Sequence, residues 1–354
     1  MANANYLAFA RAHFGHARFD FALSGEHSAA CLVEPKGEGR AGAVEALRAA
    51  LADFLGRDVA EVVPCLGTSQ AMALAGACLG RADTVVALET PTYEPIRLAF
   101  EHASLVRVER SHAQGYALEA ALGTSLQNAR VIAFADPHNP TGVSCDPALL
   151  TSALRGFEGS VLVDEVYAPF DSYVDAAGRW PGKGRDLHPN AWAIGSLTKA
   201  YGLGPYRVGW LVVPAGERPR VDEALVRAVG ELPLRWATDA IDVLSQVPAI
   251  SRELRATLAE RRSLVLSALR SVQGVEVHGG ERGPYAWVRV PRVENLLAQI
   301  VRWAEEDGLV VSPGVFFGDP HGLRVAWTSP LERLREGVPV IVRRLNEMVS
   351  AART

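Results

Sequence analysis

Lys199 stands in a segment whose side chains could bind a reactive cofactor. Within residues 195–209, the Ser196 hydroxyl lies three positions before this lysine and the Arg207 guanidinium eight positions after it. A lysine in a closed pocket loses its proton more easily and can form a Schiff base with an aldehyde, and a hydroxyl and a guanidinium can bind a phosphate. The segment therefore indicates an enzyme that holds pyridoxal phosphate, and the alternative is a surface loop with a solvated lysine and arginine.

Two further segments carry groups that suit the ring of such a cofactor. In residues 136–142, two prolines and a glycine set a turn that presents the Asn139 amide, which could donate to a phenolic oxygen. Asp164 ends an apolar run, and Tyr167 follows three residues later. A carboxylate at the carboxyl edge of a sheet can keep a pyridine nitrogen protonated, and the tyrosine hydroxyl can bond the phenolate. Taken singly, these residues could equally form a turn, a helix N-cap and a core aromatic.

A phosphate site is predicted where a helix begins after Gly67. Thr68 and Ser69 place two hydroxyls beside the free backbone N–H groups of that helix start, although a simple N-cap is the competing interpretation. Tyr93 follows the first predicted strand and would offer a face on which a flat ring can stack, or else line the core.

Arg324 lies in the apolar residues 322–327, where an unpaired guanidinium would be costly. It therefore needs an anion. A substrate α-carboxylate, held by two parallel hydrogen bonds, would satisfy it, and an internal salt bridge is the alternative.

Short β-branched runs alternate with longer helical patterns through the middle of the chain. This alternation is typical of an α/β fold in which parallel strands are joined by crossover helices. Strands are predicted at 84–89, 105–108, 130–135, 161–164, 191–195 and 208–213. Helices are predicted at 42–54, where apolar residues recur every three or four positions, and after Gly67.

The pattern changes after Pro214 and predicts a second, smaller domain. A helical stretch covers residues 218–269, with interruptions expected at Pro233 and Pro248. Short strands are predicted next, at 275–277 and 285–290.

Composition and charge exclude several classes of protein. The 354 residues are 49% hydrophobic and 21% charged, and the net charge of −4 gives no basic surface for nucleic acid or anionic membrane. No apolar run approaches the roughly 20 residues of a membrane span, and the first residues lack the layout of a secretion signal. The four cysteines are too scattered to predict a metal site or a disulfide framework. A cytoplasmic protein is expected.

Together and in this order, these segments resemble the fold type I pyridoxal-phosphate enzymes, and within them the class I/II aminotransferases. The resemblance extends from about residue 23 to Arg324. It implies that Lys199 is the Schiff-base lysine and proton shuttle, and that Asp164 is the partner of the pyridine nitrogen. The remaining implied roles are the ring oxygen for Asn139 and Tyr167, the phosphate for Thr68, Ser69, Ser196 and Arg207, ring stacking for Tyr93, and the substrate for Gly25, Asn139 and Arg324.

The resemblance also implies an architecture: a large, mostly parallel-sheet domain over residues 31–238 and a smaller α+β domain built from residues 1–30 and 239–354. It further implies a homodimer with active sites at the subunit boundary. One departure concerns the phosphate-binding tyrosine that many members donate from the neighbouring subunit, because its place falls near Gly37 here.

The same motifs are also compatible with other functions. Residues 37–42 match the spacing of a dinucleotide loop, but the residues before them are a poor strand, so an NAD-dependent oxidoreductase is a remote alternative. A binding protein that kept the fold and lost activity is another alternative. Within the enzyme hypothesis, the cofactor also serves decarboxylases, lyases, cyclases and oxidases. Transamination between an α-amino acid and a 2-oxo acid is the function we expect.

Substrate selection is expected to depend on loops near Glu26, His27 and His138 and on the smaller domain. Glu26 could select a basic side chain, but an exposed carboxylate in the N-terminal segment is the expectation.

Overall fold

A seven-stranded sheet forms the centre of the computed structural model, which describes residues 6–14, 17–26, 41–172, 174–175, 178–279, 282–293 and 296–352. Among these residues the strands are β1 Phe19–Asp20, β2 Val62–Leu66, β3 Val85–Thr90, β4 Ser104–Glu109, β5 Val131–Ala135, β6 Ser160–Asp164, β7 Ala191–Ser196, β8 Val208–Val212, β9 Glu276–Gly279, β10 Tyr285–Arg289, β11 Leu309–Val310, β12 Ser312–Pro313 and β13 Gly322–Ala326.

The helices of the same residues surround these strands. They are α1 Tyr6–His13, α2 Ala43–Leu55, α3 Thr68–Leu79, α4 Glu94–Ala99, α5 Leu118–Ala121, α6 Pro147–Ala153, α7 Pro169–Ser172, α8 Arg218–Val229, α9 Leu234–Arg270, α10 Leu296–Asp307 and α11 Leu331–Ala351. None of them combines the length and the apolar character that crossing a bilayer requires.

The central sheet has the order β2-β8-β7-β6-β5-β3-β4. All six predicted strands are present with bounds that differ by about one residue, so the α/β prediction is confirmed. The expectation of parallel pairing is wrong for β8, which runs antiparallel to both β2 and β7. Strand β2 was not predicted, because Pro64 interrupts its pattern. Since β2 pairs only with β8, this edge strand tolerates a residue without a backbone N–H.

Apolar side chains bury both faces of the central sheet. One cluster joins α2 and α9 to the sheet through Leu47, Leu51 and Trp210, and another lies under α3 and α8. The predicted helix at 42–54 is confirmed as α2, whose buried residues follow the expected spacing.

Helix α9 continues through Pro248, so the predicted interruption there is wrong. A proline inside a helix removes one hydrogen bond and crowds the preceding turn. Here the turns on both sides are held by buried residues, including Val243, Val247 and Ile250, whose packing outweighs that cost.

A second, antiparallel sheet follows α9 in the order β12-β13-β10-β9. Strand β1 pairs in parallel with β11, which brings residues near the start of the chain beside this sheet. Helices α9, α10 and α11 cover it through a separate apolar cluster. The division into residues 31–238 and residues 1–30 with 239–354 stays a prediction, and its boundary at 238 falls inside α9.

Candidate active site

The carboxyl edge of the central sheet gathers the polar residues that the sequence singles out. Strands β3, β5, β6 and β7 are parallel and end at this edge. Strand β8 runs the other way, so Arg207, which precedes it, reaches the same edge. One cavity there is lined by Thr68, Ser69, Met72, Tyr93, Pro95, Asn139, Asp164, Val166, Tyr167, Thr198, Lys199 and Arg207. Ser196, Gly25 and Arg324 lie beside this lining set.

Hydroxyl groups and a guanidinium meet at one end of the cavity. The Ser196 hydroxyl lies 3.0 Å from the Thr68 hydroxyl and 2.7 Å from the Thr198 hydroxyl. Helix α3 begins there, directly after Gly67, whose φ is +78°. A Cβ at Gly67 would lie 2.6 Å from Nη2 of Arg207. The backbone therefore approaches the guanidinium closely, and this end suits a phosphate at a helix N-terminus.

Asp164 supplies a buried carboxylate to the lining of the cavity. It ends β6, and its Oδ1 accepts a hydrogen bond from the Val166 backbone N–H at 3.0 Å. Burial raises the pKa of this carboxyl to about 6, while that hydrogen bond and the nearby Lys199 act in the opposite direction. A buried carboxylate with so few partners is stabilised by a cation, and a protonated pyridine nitrogen is such a cation.

The Lys199 amine belongs to the lining of the same cavity. Burial lowers its pKa, and the positive charges of Arg324 and Arg207 lower it further, while Tyr6 and Asp164 raise it. The N-terminal segment lies directly against it. A Cβ at Gly25 would be 3.4 Å from Lys199 Cδ. The amine can therefore lose its proton more easily than a surface lysine.

The residues predicted for the cofactor's ring oxygen are close to this lysine but already have partners. The Tyr167 hydroxyl lies 2.6 Å from the Ser24 hydroxyl, and Asn139 Oδ1 accepts a hydrogen bond from Arg324 Nη1 at 2.7 Å. Asn139 thus connects the cofactor cavity to the predicted substrate-binding arginine. Ser24 was not predicted, because its partner is 143 positions away.

Arg324 is fully buried without a carboxylate partner among the described residues. Its Nη2 donates to the Ala22 carbonyl at 3.0 Å and to the Ser312 hydroxyl at 3.2 Å, and its Nε has no acceptor in this part of the chain. The alternative of an internal salt bridge is therefore wrong for the described residues. A buried guanidinium with only neutral partners is suited to bind a carboxylate from outside the chain.

Glu26 is buried, so the expectation of an exposed carboxylate is wrong. Both of its oxygens accept hydrogen bonds from Arg261 of α9, at 2.8 and 2.9 Å. Its backbone N–H also donates to the Lys199 carbonyl at 2.8 Å. The ion pair with Arg261 holds the N-terminal segment beside Lys199, and it leaves the Glu26 carboxylate unavailable to a basic substrate. The sequence gives no signal for a partner 235 positions away.

Three other predicted residues are one buried histidine and two residues that the structure does not describe. His138 is fully buried, with its ring bonded to the Thr141 hydroxyl and the Pro91 carbonyl, so it does not face a substrate. His27 and Gly37 lie outside the described residues, as does most of the suspected dinucleotide loop.

The polar groups of the cavity fit pyridoxal phosphate. Its lining offers hydroxyls, a guanidinium and a helix start for the phosphate, a carboxylate for the ring nitrogen and a lysine amine for the aldehyde. Tyr6, at the start of the N-terminal helix, raises the pKa of Lys199. It was not predicted as a site residue because it is more than 80 positions from its neighbours at this site.

Comparisons with known proteins agree with this chemistry. The family model described as "Aminotransferase class I and II" matches residues 39–341. The chain is 28% identical over 309 residues to a capreomycidine synthase of Streptomyces vinaceus, covering 85% of this chain and 79% of that protein. It is 30% identical over 294 residues to an aromatic amino acid aminotransferase of Rhodococcus jostii (strain RHA1), covering 81% of this chain and 77% of that protein. A PLP-dependent aminotransferase from Streptococcus suis 89-1591 has a similar fold, with a TM-score of 0.84, 16% identity, and 98% and 99% of the two chains covered.

Proposed function

This chain belongs to the class I and II aminotransferases. We propose that Lys199 removes a proton from its amino acid substrate and that Arg324 binds the carboxylate of that substrate. The protein is a pyridoxal-phosphate-dependent enzyme that moves an amino group between an α-amino acid and a 2-oxo acid. The assignment of individual residues rests on one observation. The amine of Lys199, the carboxylate of Asp164 and the guanidinium of Arg207 line a single cavity at the carboxyl edge of the sheet. Asn139 of the same lining accepts a hydrogen bond from Arg324.

The cofactor's position in this proposal follows from the polar groups of the cavity. When bound, pyridoxal phosphate supplies an aldehyde that takes the amino group and an electron-poor ring that stabilises negative charge at the substrate α-carbon. Asp164 would hold the ring nitrogen in its protonated form. The other cofactor-binding residues would be Thr68, Ser69, Ser196 and Arg207 at the phosphate, Tyr93 at the ring face, and Asn139 with Tyr167 at the ring oxygen.

Lys199 is the base in this mechanism. Its amine, made less basic by burial and by two neighbouring guanidinium groups, takes the proton from the substrate α-carbon and holds it at Nζ for return. The Gly25 backbone lies close enough to exclude water from one side of the lysine stem.

Arg324 orients the substrate. A carboxylate at its guanidinium would satisfy the Nε group that has no acceptor among the described residues. The bond from Arg324 to Asn139 would then fix the substrate relative to the cofactor ring.

The proposal also covers the oligomeric state and the cellular location of the protein. A homodimer is proposed on the family resemblance, with Gly37 in place of the usual intersubunit tyrosine. A cytoplasmic location is proposed as well, and it is supported by the free thiols of Cys65, Cys78 and Cys145.

Another reaction at the same cofactor is the second candidate function. The Streptomyces vinaceus relative is named a synthase and not an aminotransferase, and the cavity residues determine the cofactor rather than the fate of the substrate. Stopped-flow absorbance with single amino acids separates the two candidates. With no 2-oxo acid acceptor present, transamination stops after its first half-reaction and leaves the amino group on the cofactor, in a stable amine form.

Borohydride reduction followed by peptide mass mapping tests the lysine assignment. The chain contains only three lysines, Lys36, Lys183 and Lys199, so each is easily resolved. We expect the reduced cofactor on Lys199 alone, and we expect Lys199→Ala to abolish both this label and turnover, while Lys183→Ala at the surface changes neither. Label on another lysine, or turnover by Lys199→Ala, would exclude the mechanism.

Arg324→Ala tests the substrate assignment. We expect the dissociation constants of simple carboxylic acids to rise about 100-fold, which is the order expected for losing a buried charged bidentate contact. Arg324→Lys should recover only part of this affinity, since an ammonium cannot make the paired hydrogen bonds. Unchanged affinity in Arg324→Ala would mean that the carboxylate binds elsewhere.

A further inference from the structure

Tyr6 is a buried aromatic residue that packs against the lining of the cavity. It begins α1, its side chain is 5% exposed, and its backbone N–H donates to Glu94 Oε2 at 2.9 Å. Its ring stands edge-on to the ring of Tyr93, with centroids 5.3 Å apart. Tyr93 lines the cofactor cavity, so the Tyr6 ring packs directly against that lining.

Tyr6 also lies beside the two cationic groups that the substrate must meet. The Phe317 ring is 6.0 Å from the Tyr6 ring and 5.3 Å from the guanidinium carbon of Arg324. Burial lowers the pKa of Lys199, and the Tyr6 hydroxyl is the strongest influence that raises it. The same hydroxyl raises the pKa of Arg324 against the effect of burial. Tyr6 therefore borders the space between the base and the carboxylate site.

Among the described residues, Arg324 is the buried arginine that has no carboxylate partner. The other buried arginines of the described residues are already paired, Arg48 with Asp222, Arg110 with Glu89 and Arg261 with Glu26. A second carboxylate, on an acidic side chain, would find no free buried guanidinium in this part of the chain.

The walls near Tyr6 are aromatic instead. Phe316 and Phe317 join Tyr6 and Trp287 in one buried cluster, and Tyr93 packs against it. Edge-to-face rings of this kind bind apolar and aromatic groups better than charged ones.

We propose that Tyr6 is a specificity-determining residue whose ring packs against the side chain of the amino acid substrate and selects apolar or aromatic substrates over acidic ones. This inference rests on the proposed function, because it takes Arg324 as the carboxylate site. The ring supplies the contact surface, while the hydroxyl adds a polar contact common to all substrates.

Binding of unreactive acids to the holoenzyme tests the inference without turnover. Calorimetric titrations would use 3-phenylpropanoate, propanoate and glutarate. For the native protein we expect 3-phenylpropanoate to bind at least about tenfold tighter than either of the other acids, the order that burial of a phenyl ring produces. In Tyr6→Ala the ratio of the 3-phenylpropanoate and propanoate affinities should fall about tenfold. In Tyr6→Phe that ratio should stay within about twofold of the native ratio, because the ring remains.

Phe14→Ala is the matched control. Phe14 packs edge-on against Tyr6, with centroids 5.9 Å apart, and its removal loosens the same N-terminal segment while leaving the Tyr6 ring in place. We expect its affinity ratio to match the native one. Melting curves and cofactor absorbance confirm that each variant is folded and loaded.

Two results would overturn the inference: a native preference for glutarate over 3-phenylpropanoate, or a Tyr6→Ala ratio equal to the native one. A failure of the proposed function would look different. In that case Arg324→Ala would bind all three acids as tightly as the native protein does.

Discussion

Asp164→Asn is expected to have opposite effects on the empty protein and on cofactor binding. The substitution keeps the size of the side chain, and the amide oxygen can still accept the Val166 N–H, but the negative charge is lost. Without cofactor, the native carboxylate is buried with little to stabilise its charge. With cofactor bound as proposed, the same charge would be the partner of the protonated ring nitrogen.

The size of the effect on stability follows from the pKa of Asp164. Burial raises it from 3.8 to about 6, and each tenfold change in acidity corresponds to roughly 1.4 kcal/mol. The charged carboxylate therefore costs the apoenzyme about 3 kcal/mol at pH 8. Asp164→Asn should raise the free energy of unfolding of the apoenzyme by an amount of that order.

The pH dependence has a definite sign. A carboxyl whose pKa is higher in the folded state binds its proton more tightly there, so its contribution to stability is lost as the pH rises from about 4 to about 6. The advantage of Asp164→Asn should thus be largest above pH 6, fall to roughly half at pH 5, and vanish below pH 4.

Urea unfolding of the apoenzymes at pH 8 and pH 5 measures the change in the free energy of unfolding. Titration with cofactor measures the change in cofactor affinity. Asp136→Asn is the control, because burial raises the pKa of Asp136 to about 6 as well, yet this residue does not line the cofactor cavity. Both variants should stabilise the apoenzyme, and only Asp164→Asn should weaken cofactor binding, by at least about tenfold. An apoenzyme gain that is absent, or equal at both pH values, would refute the reasoning.

Two further substitutions test the approach of the backbone to the phosphate site and the fastening of the N-terminal segment. Gly67→Ala should weaken cofactor binding about tenfold, since its Cβ would displace the guanidinium 2.6 Å away. Gly42→Ala, at a similar φ of +80° with no atom within 4 Å, should cost stability without changing cofactor titrations, and equal affinities for both variants would contradict this. Arg261→Met should lower the free energy of unfolding by about 3–5 kcal/mol because Glu26 is left buried and unpaired. Arg335→Met, which breaks the exposed ion pair with Glu260, should lower the free energy of unfolding by less than about 1 kcal/mol in the same urea experiment. Equal losses for Arg261→Met and Arg335→Met would contradict the importance of the buried pair.

Local patterns predicted the elements of the central sheet well. The six strands and α2 follow from runs of apolar residues whose periodicity depends only on neighbours in the chain. The prediction failed where contacts between distant residues outweighed the local pattern. Pro64 made β2 unrecognisable as a strand, although a proline is tolerated there because β2 is at the sheet edge. Pro248 suggested a break in α9, although buried packing keeps this helix continuous.

The chemistry of the site was largely determined by the sequence, because each strand-end motif carries its own functional group. The amine of Lys199, the carboxylate of Asp164 and the guanidinium of Arg207 meet as soon as their strands share one sheet edge. What only the tertiary structure decided is how the N-terminal segment packs beside the cavity. There Glu26 meets Arg261, and Tyr6 comes beside Tyr93. These contacts join residues more than 80 positions apart, so they depend on how the chain closes in space rather than on any local pattern.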